Sequence, residues 1–203
     1  MAKGSKSWLA AAAAGARERI VLLNTAVAAL WFVELSDWIF FQGALDQYGV
    51  EPRTVHGLVG VLFAPFLHGG AAHLVGNTLS FWVLGFLATS RRIGDFWSVS
   101  VVSALTGGLG AWAFGKPDSI HIGVSGVCFG FLGFLMGRGF FERRLGAILL
   151  SAAVIFFFGG MMVSVLPTAA LQGISWETHL FGWVGGLLVA WILGVQGAAR
   201  RKG

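Results

Sequence analysis

The chain has 203 residues, of which 56% are hydrophobic and 11% are charged, and its mean hydropathy is +0.78. This composition excludes an ordinary soluble domain and indicates an integral membrane protein. The isoelectric point of about 10.2 does not indicate binding to nucleic acid, because Lys and Arg lie at the ends of apolar runs rather than along one aromatic-studded face. The single cysteine, Cys128, excludes an intramolecular disulfide and a cysteine-based metal cluster.

Apolar runs of membrane-spanning length divide the chain and predict an all-α bundle of six transmembrane helices. A basic N-terminal tail (1–19) precedes the membrane domain (20–196), and a basic tail (197–203) follows it. No small-residue cleavage site of the signal-peptide kind follows an apolar run, so we expect the N-terminus to be retained. A loop at about 43–72, whose apolar pieces are too short to span, is expected at the interface after the first helix. The predicted spans are about 20–41, 73–89, 96–114, 125–139, 145–166 and 178–195.

The first span contains two carboxylates, Glu34 and Asp37. They are three residues apart and therefore share one helix face. Carboxylates that face lipid are costly, so we expect this face to look into the bundle or to lie near the interface.

The distribution of basic residues predicts the orientation. Six spans place both termini on one side, and 12 of the 14 Lys and Arg residues fall on that side, which leaves Arg53 and Lys116 opposite. By the positive-inside rule the termini are cytoplasmic. We expect the chain to lie in a plasma membrane of the bacterial type.

Polar residues gather where the second, fourth and sixth spans enter from the non-cytoplasmic side. These residues are His73 and Asn77, Ser125, and His179. His73 and Asn77 are one helical turn apart and share a face. Ser125 and His179 are 54 residues apart, which is enough chain to cross the bilayer twice and return to the same depth. The topology therefore permits a Ser–His pair near the outer surface.

Such a set has the parts needed for attack on a carbonyl. A serine hydroxyl needs a base to become a nucleophile, and the resulting oxyanion needs donors. His179 is the candidate base for Ser125, while Asn77, His73 and the amides at the start of the fourth span are candidate oxyanion donors. Glu177 points to a different helix face from His179, so a two-residue dyad is the simpler interpretation.

Several motifs together resemble the rhomboid family of intramembrane serine proteases, over about residues 56–195. His73-Leu-Val-Gly-Asn77 is similar to the H-x-x-x-N of the family's second helix, Gly123-Val-Ser125-Gly126 to its G-x-S-G, and the stretch from His179 through Gly182 to Gly186 to the H-x-x-G-x-x-x-G of its sixth. Pro65-Phe-Leu-His-Gly-Gly70 resembles the end of its first loop.

The resemblance implies an enzyme with Ser125 as nucleophile, His179 as general base, and Asn77 and His73 on the oxyanion side. It implies that Gly182 and Gly186 let the sixth helix approach the fourth, and it places Phe129, one turn after the serine, to stack on the imidazole. The expected substrates are single-span or other transmembrane proteins, cleaved in the bilayer on its non-cytoplasmic side.

The chain departs from the family pattern at three places. Val59-Gly60 stands near the usual Trp-Arg pair of the first loop, Ser90 stands where an acidic residue ends the second span, and Thr178 replaces a frequent alanine before the histidine. None of these positions performs chemistry.

Other interpretations remain open. In a chain with 31 glycines, a Gly-x-Ser-Gly turn can serve only to pack helices. The chain can also be a catalytically inactive rhomboid-like protein that binds membrane proteins in quality control. A small-solute channel is disfavoured, because a pore needs polar groups at several depths. The histidines all fall in the outer half, but without the H-E-x-x-H spacing of a zinc site, so we expect neither a metal nor another cofactor.

Overall fold

The structure is a computed structural model that describes residues 2–199, with side chains from residue 12 to residue 197. This part of the chain is helical apart from turns and one isolated backbone pairing between Val50 and His121, which confirms the predicted all-α class. The basic residues Arg200, Arg201 and Lys202 of the predicted C-terminal tail lie outside the described residues, as do the side chains of Lys3 and Lys6.

The helices follow one another with short connections. In chain order they are α1 (Ala2–Ser36), α2 (Val55–Phe63), α3 (Ala71–Ala88), α4 (Gly94–Phe114), α5 (Ser125–Glu142), α6 (Leu145–Phe158) and α7 (Trp176–Ala199). A π-helical turn, Asp37–Phe41, extends α1, and 3₁₀ turns lie at Ala44–Tyr48, Ala64–Phe66, Gly159–Val165 and Pro167–Gln172.

Five helical stretches of the described chain are long and apolar enough to cross a membrane. They match the first, second, third, fifth and sixth predicted spans and comprise Ala12–Phe41, Ala71–Ala88, Gly94–Phe114, Leu145–Val165 and Trp176–Gly197. The fourth predicted span corresponds to α5, whose glycines, Arg138 and Glu142 lower its hydropathy. The count of six spans stays a prediction. The helix α1 also runs without interruption past residue 19, where the tail was expected to end.

The helix α5 lies at the centre of the bundle. It packs against α3, α4, α6 and α7, and nearly every one of its residues is buried, from Ser125 to Glu142. A helix enclosed by protein on all sides does not need an apolar surface for lipid. Its first residue, Ser125, is therefore placed inside the bundle rather than at its lipid-facing rim.

The segment between the first two predicted spans, at about 43–72, contains α2 and two 3₁₀ turns, and these are too short to cross a membrane. The side chain of Thr54 caps α2 by accepting a hydrogen bond from the Gly57 amide at 2.9 Å, as polar residues at helix starts commonly do. Val61 of α2 packs with Val50, Ala64 and Ala111 in a small apolar cluster. This cluster fixes the segment against α4, and the segment leads directly into α3.

The acidic face of α1 points into the protein. Glu34 and Asp37 are both buried, and Oδ1 of Asp37 accepts a hydrogen bond from the Leu45 amide at 2.9 Å. The carboxylates are thus shielded from lipid, at the end of α1 where the chain turns towards α2.

Polar contacts define the two ends of the bundle. At one end Arg138 lies 2.7 Å from Glu142 and donates to Oγ of Ser90 at 2.9 Å, so the C-terminal end of α5 lies beside the turn between α3 and α4. At the other end Arg53 donates to the main-chain carbonyls of Ala113 and Gly115. Ser125 begins α5 at this second end.

Candidate active site

The hydroxyl of Ser125 lies at the first residue of α5. The residue before it is Val124, and Gly123 has φ +116°, a left-handed conformation that glycine adopts without the Cβ clash of other residues. The turn at Gly123 therefore leads directly into the helix that the serine begins. It leaves the first amides of α5, which have no carbonyl of a preceding turn to bind, beside the hydroxyl.

Ser125 and His179 are in direct contact. Nε2 of His179 lies 2.9 Å from Oγ of Ser125, and both side chains are buried. On the other side of the imidazole, Nδ1 lies 3.2 Å from the main-chain carbonyl oxygen of Ser164. A carbonyl can only accept, so Nδ1 carries the ring proton and Nε2 is left with a free lone pair facing the hydroxyl. This is the tautomer that a general base requires.

The ring of Phe129 covers one face of the imidazole. The two ring centroids are 4.2 Å apart, with 16° between the planes. Phe129 is one turn after Ser125 in α5, where the resemblance places an aromatic residue. An aromatic face over an imidazole attracts its protonated form, because the ring quadrupole is negative above the plane.

Asn77 and His73 border the same space from α3. A Cβ built on Gly123 would lie 3.0 Å from Nε2 of His73 and 3.5 Å from Nδ2 of Asn77. Within the described part of the chain, Nδ2 of Asn77 is buried and has no hydrogen-bond partner. An unpaired buried amide costs free energy, and here it faces the turn that carries the serine. These two side chains are available as donors to an oxygen bound beside Ser125.

His68 fixes the backbone next to the serine. Its Nε2 accepts a hydrogen bond from the Val124 amide at 3.3 Å, and its ring meets that of His73 edge-on, with centroids 5.2 Å apart. Burial, followed by the proximity of His73, lowers the pKa of His68 to about 4. The neutral imidazole is thus maintained at physiological pH and keeps its acceptor for Val124. The buried contact gives His68 a structural role at the turn before the serine.

Glycines bring α7 against α5 below the dyad. A Cβ on Gly182 would lie 2.2 Å from the carbonyl oxygen of Gly126, and a Cβ on Gly186 would meet the carbonyl oxygen of Gly130 at 1.9 Å. No side chain fits at either position without movement of the backbone. The close approach of the two helices sets the separation of Ser125 and His179.

A pocket with a volume of about 420 Å³ lies between α6 and α7. It is formed by the 3₁₀ turns between α6 and α7, and Ser164, whose carbonyl orients His179, is part of its wall. The remaining walls carry mostly apolar groups, among them Met161, Leu171 and Ile174. Neither Ser125 nor His179 lines this pocket, so Ser164 is what connects it to the dyad.

The structure brings together the four residues singled out in the sequence, and it adds one that was missed. The carbonyl of Ser164 orients His179, but a carbonyl belongs to every residue, so no sequence signal marks this one. His121 lies outside this set and is hydrogen-bonded to Ser175. In the residues described, no three His, Cys, Asp or Glu side chains are grouped to hold a metal ion.

Comparisons with known proteins agree with the motifs. A family profile described as Rhomboid domain matches residues 55–196. An uncharacterized protein of Mycobacterium tuberculosis, Rv1337, is 40% identical over 176 residues, which is 83% of this chain and 72% of that protein. The putative rhomboid protease YdcA of Bacillus subtilis is 29% identical over 81% of this chain and 85% of its own length. Rhomboid protease GluP of the same organism is 31% identical over 65% of this chain and 25% of its own length.

Proposed function

Because the chain belongs to the rhomboid family, we propose that it is a serine endopeptidase that cleaves other membrane proteins within or beside their transmembrane segments. The observation that carries the proposal is the 2.9 Å contact between Oγ of Ser125 and Nε2 of His179, with the ring proton held on Nδ1 by the Ser164 carbonyl. This contact supports Ser125 as the nucleophile and His179, in the tautomer that a base requires, as the group that takes its proton.

The proposed reaction begins with attack of Oγ of Ser125 on the scissile carbonyl, while the hydroxyl proton passes to Nε2 of His179. The carbonyl oxygen becomes an oxyanion, which receives hydrogen bonds from Asn77, from His73 and from the first amides of α5. The imidazolium is stabilised by the Ser164 carbonyl and by the face of Phe129.

Collapse of this intermediate breaks the peptide C–N bond. Nε2 of His179 gives its proton to the leaving amine, and the substrate carbonyl stays esterified to Ser125. His179 then takes a proton from water as the water attacks the ester, and returns it to Oγ of Ser125 when the ester bond breaks. The products are a carboxylic acid and an amine, and the dyad is restored.

The substrate must expose a carbonyl that a helix would otherwise bury in a hydrogen bond. We therefore expect cleavage where a transmembrane helix is easily unwound, near Gly, Ala, Ser or other short residues at the outer surface. Helix-breaking residues such as Gly lower the free energy needed to open the helix by up to about 1 kcal/mol each.

Labelling with a fluorophosphonate tests the proposal directly. An ordinary serine hydroxyl is a poor nucleophile, so modification of Ser125 requires the neighbouring base. We expect labelling of the purified protein, loss of labelling in Ser125→Ala and in His179→Ala, and cleavage of a generic single-span substrate by the parent protein only. Folded His179→Ala that labels like the parent would refute the dyad. An unlabelled parent that still binds membrane proteins would favour an inactive, binding relative.

A further inference from the structure

A chain of hydrogen bonds outside the dyad connects the two segments that carry Ser125 and His179. His121 lies four residues before Ser125, and its Nδ1 is 2.5 Å from Oγ of Ser175. Oγ of Ser175 is in turn 2.6 Å from Oγ1 of Thr178, the residue that precedes His179. We call this set of three residues, His121, Ser175 and Thr178, the His121 bridge. It joins the approach to α5 to the first turn of α7.

The loop end of the His121 bridge is firmly held. The backbone of His121 pairs with that of Val50 through two hydrogen bonds of 2.9 Å, and its Nε2 lies 3.0 Å from Oγ of Ser119. A Cβ on Gly115 would lie 2.6 Å from the same Nε2, so the imidazole fills the space left by that glycine. Burial lowers the pKa of His121, which keeps the ring neutral.

The direction of each hydrogen bond in the bridge follows from one carbonyl. Oγ of Ser119 lies 2.5 Å from the carbonyl oxygen of Lys116, which can only accept, so the Ser119 hydroxyl donates there and accepts from Nε2–H of His121. Nδ1 of His121 then accepts a hydrogen bond from the Ser175 hydroxyl. Oγ of Ser175 in turn accepts a hydrogen bond from the Thr178 hydroxyl. Every donor in the bridge has one partner.

The helix end of the bridge lies against the dyad. Cγ2 of Thr178 would be 2.8 Å from a Cβ built on Gly126, the residue after the serine, and the Thr178 carbonyl oxygen would be 3.0 Å from one on Gly107. Thr178 therefore fills the gap between α7 and the helices α4 and α5. Its hydrogen bond to Ser175 fixes the rotamer, because the hydroxyl and the methyl group share one χ1 angle.

We infer that His121, Ser175 and Thr178 are positioning residues, which hold the first turn of α7 so that His179 stays within hydrogen-bond distance of Ser125. The inference rests on the proposed protease activity. The hydroxyl of Thr178 has a partner in this chain because position 175 is a serine, and that serine is held in turn by His121. A displacement of about 1 Å at a reacting centre can cost 10²-fold in rate.

Two substitutions at position 178 separate the hydroxyl from the methyl group. Thr178→Val keeps the shape near Gly126 and removes the hydrogen bond, whereas Thr178→Ser keeps the hydrogen bond. We expect Thr178→Val and His121→Phe each to lower the rate of fluorophosphonate labelling at Ser125, and kcat, by about 10²-fold. KM is expected to stay near that of the parent, because neither residue belongs to the dyad or its oxyanion donors. Thr178→Ser is expected to keep most of the parent rate.

A double variant and a matched control complete the test. His121→Phe combined with Thr178→Val should be no slower than the slower single variant, because both changes break the same bridge. Thr89→Val removes another buried hydroxyl, which donates to a carbonyl at 2.7 Å at the opposite end of the bundle, and should leave the labelling rate unchanged. Thermal unfolding identifies variants that fail to fold, and Ser175→Ala then replaces the affected one.

The outcomes distinguish this inference from the proposed function. If the parent is labelled but Thr178→Val labels at the same rate, or if the two single effects multiply in the double variant, the bridge does not position the dyad. Equal losses in Thr178→Ser and Thr178→Val would assign the effect to the methyl contact and also overturn the inference. A parent protein that is not labelled would instead refute the proposed dyad itself.

Discussion

At the scale of single residues, the proposed base is oriented without a carboxylate. Soluble serine proteases use a buried Asp to hold the histidine in the correct tautomer and to stabilise the imidazolium. Here the Ser164 carbonyl performs the first task for His179, and the stacked ring of Phe129 offers part of the second. A carbonyl carries no net charge, so it avoids burying a carboxylate in a site enclosed by apolar helices.

The residues that could be predicted were those whose side chains are chemically distinctive and regularly spaced. Ser125 begins α5 and His179 lies in the first turn of α7, and the number of residues between them allows a return to the same depth, so the sequence permitted their proximity. The contact of His121 with Ser175 could not be predicted in this way, because both lie in irregular segments whose paths depend on tertiary packing.

Asn77 provides a prediction at this scale. Its amide Nδ2 is buried without a partner in the described structure and faces the turn at Gly123, so a forming oxyanion would give it one. Asn77→Ala should lower kcat by about 10²-fold, the loss typical of removing one such donor. It should not lower thermal stability, because no hydrogen bond of the free protein is broken at Nδ2. Steady-state kinetics beside thermal unfolding checks this. Unchanged kcat in a stable variant would make Asn77 a packing residue, or one whose donor His73 replaces.

At the scale of the helices, α5 combines the lowest hydropathy of the predicted spans with the greatest burial. Its five glycines, at 126, 130, 133, 137 and 139, together with Arg138 and Glu142, make it the least apolar of the predicted spans. It is nevertheless the most enclosed, because the absence of side chains at these positions lets neighbouring helices approach. The sequence therefore predicted a helix here from its polar start at Ser125, while its central position required the packing of the other helices to be known.

The segment between α1 and α3 shows a second limit of prediction from sequence. Its apolar pieces were too short for a membrane span, and the chain there was expected to be a loop. The helix α2 forms because Thr54 caps it and because Val61 has α4 to pack against, where a Cβ on Gly108 would lie 2.7 Å from Cγ1 of Val61. A helix of nine residues is marginal alone in water, so tertiary contacts decide its formation.

The contact between α5 and α7 gives a prediction at the scale of helices. A Cβ at position 186 would meet the Gly130 carbonyl at 1.9 Å, so Gly186→Ala must push α7 away from α5 and lengthen the distance between Ser125 and His179. We expect a large loss of labelling at Ser125, by about 10²-fold or more, together with a lower unfolding temperature. Gly197→Ala is the matched control, because no atom lies within 4 Å of a Cβ built there. It should label like the parent. Its unfolding temperature should not fall, since alanine favours a helix by up to about 1 kcal/mol over glycine. Equal labelling of both variants would show that the close approach does not set the dyad distance.

At the scale of the whole molecule, the charged residues are divided between the two ends of the bundle. The end that holds the turn between α3 and α4 and the end of α5 carries Arg91, Arg92, Arg138, Arg143 and Arg144. Two of these, Arg91 and Arg138, form ion pairs with Glu142. The other end carries Arg53 and Lys116 and the dyad. From the positive-inside rule we expect the basic end to face the cytoplasm, which would place the proposed reaction at the non-cytoplasmic side.

Cysteine accessibility tests this orientation in the intact membrane. The native Cys128 is buried, and Cys128→Ala removes it as a background for single cysteines at positions 118 and 144. Asp118 and Arg144 are both exposed, and they lie at opposite ends of the bundle, because α5 between them is 18 residues long and so rises by about 27 Å. Glu142 is unsuitable as a probe, since it is buried in its contact with Arg138. A reagent that cannot cross the membrane should modify the Asp118→Cys variant in intact cells, and the Arg144→Cys variant only after the membrane is opened. Modification of both variants from outside would contradict the two-sided arrangement. Modification of Arg144→Cys alone would place the dyad at the cytoplasmic surface. The expected substrates would then have to present the cytoplasmic rather than the outer ends of their transmembrane segments.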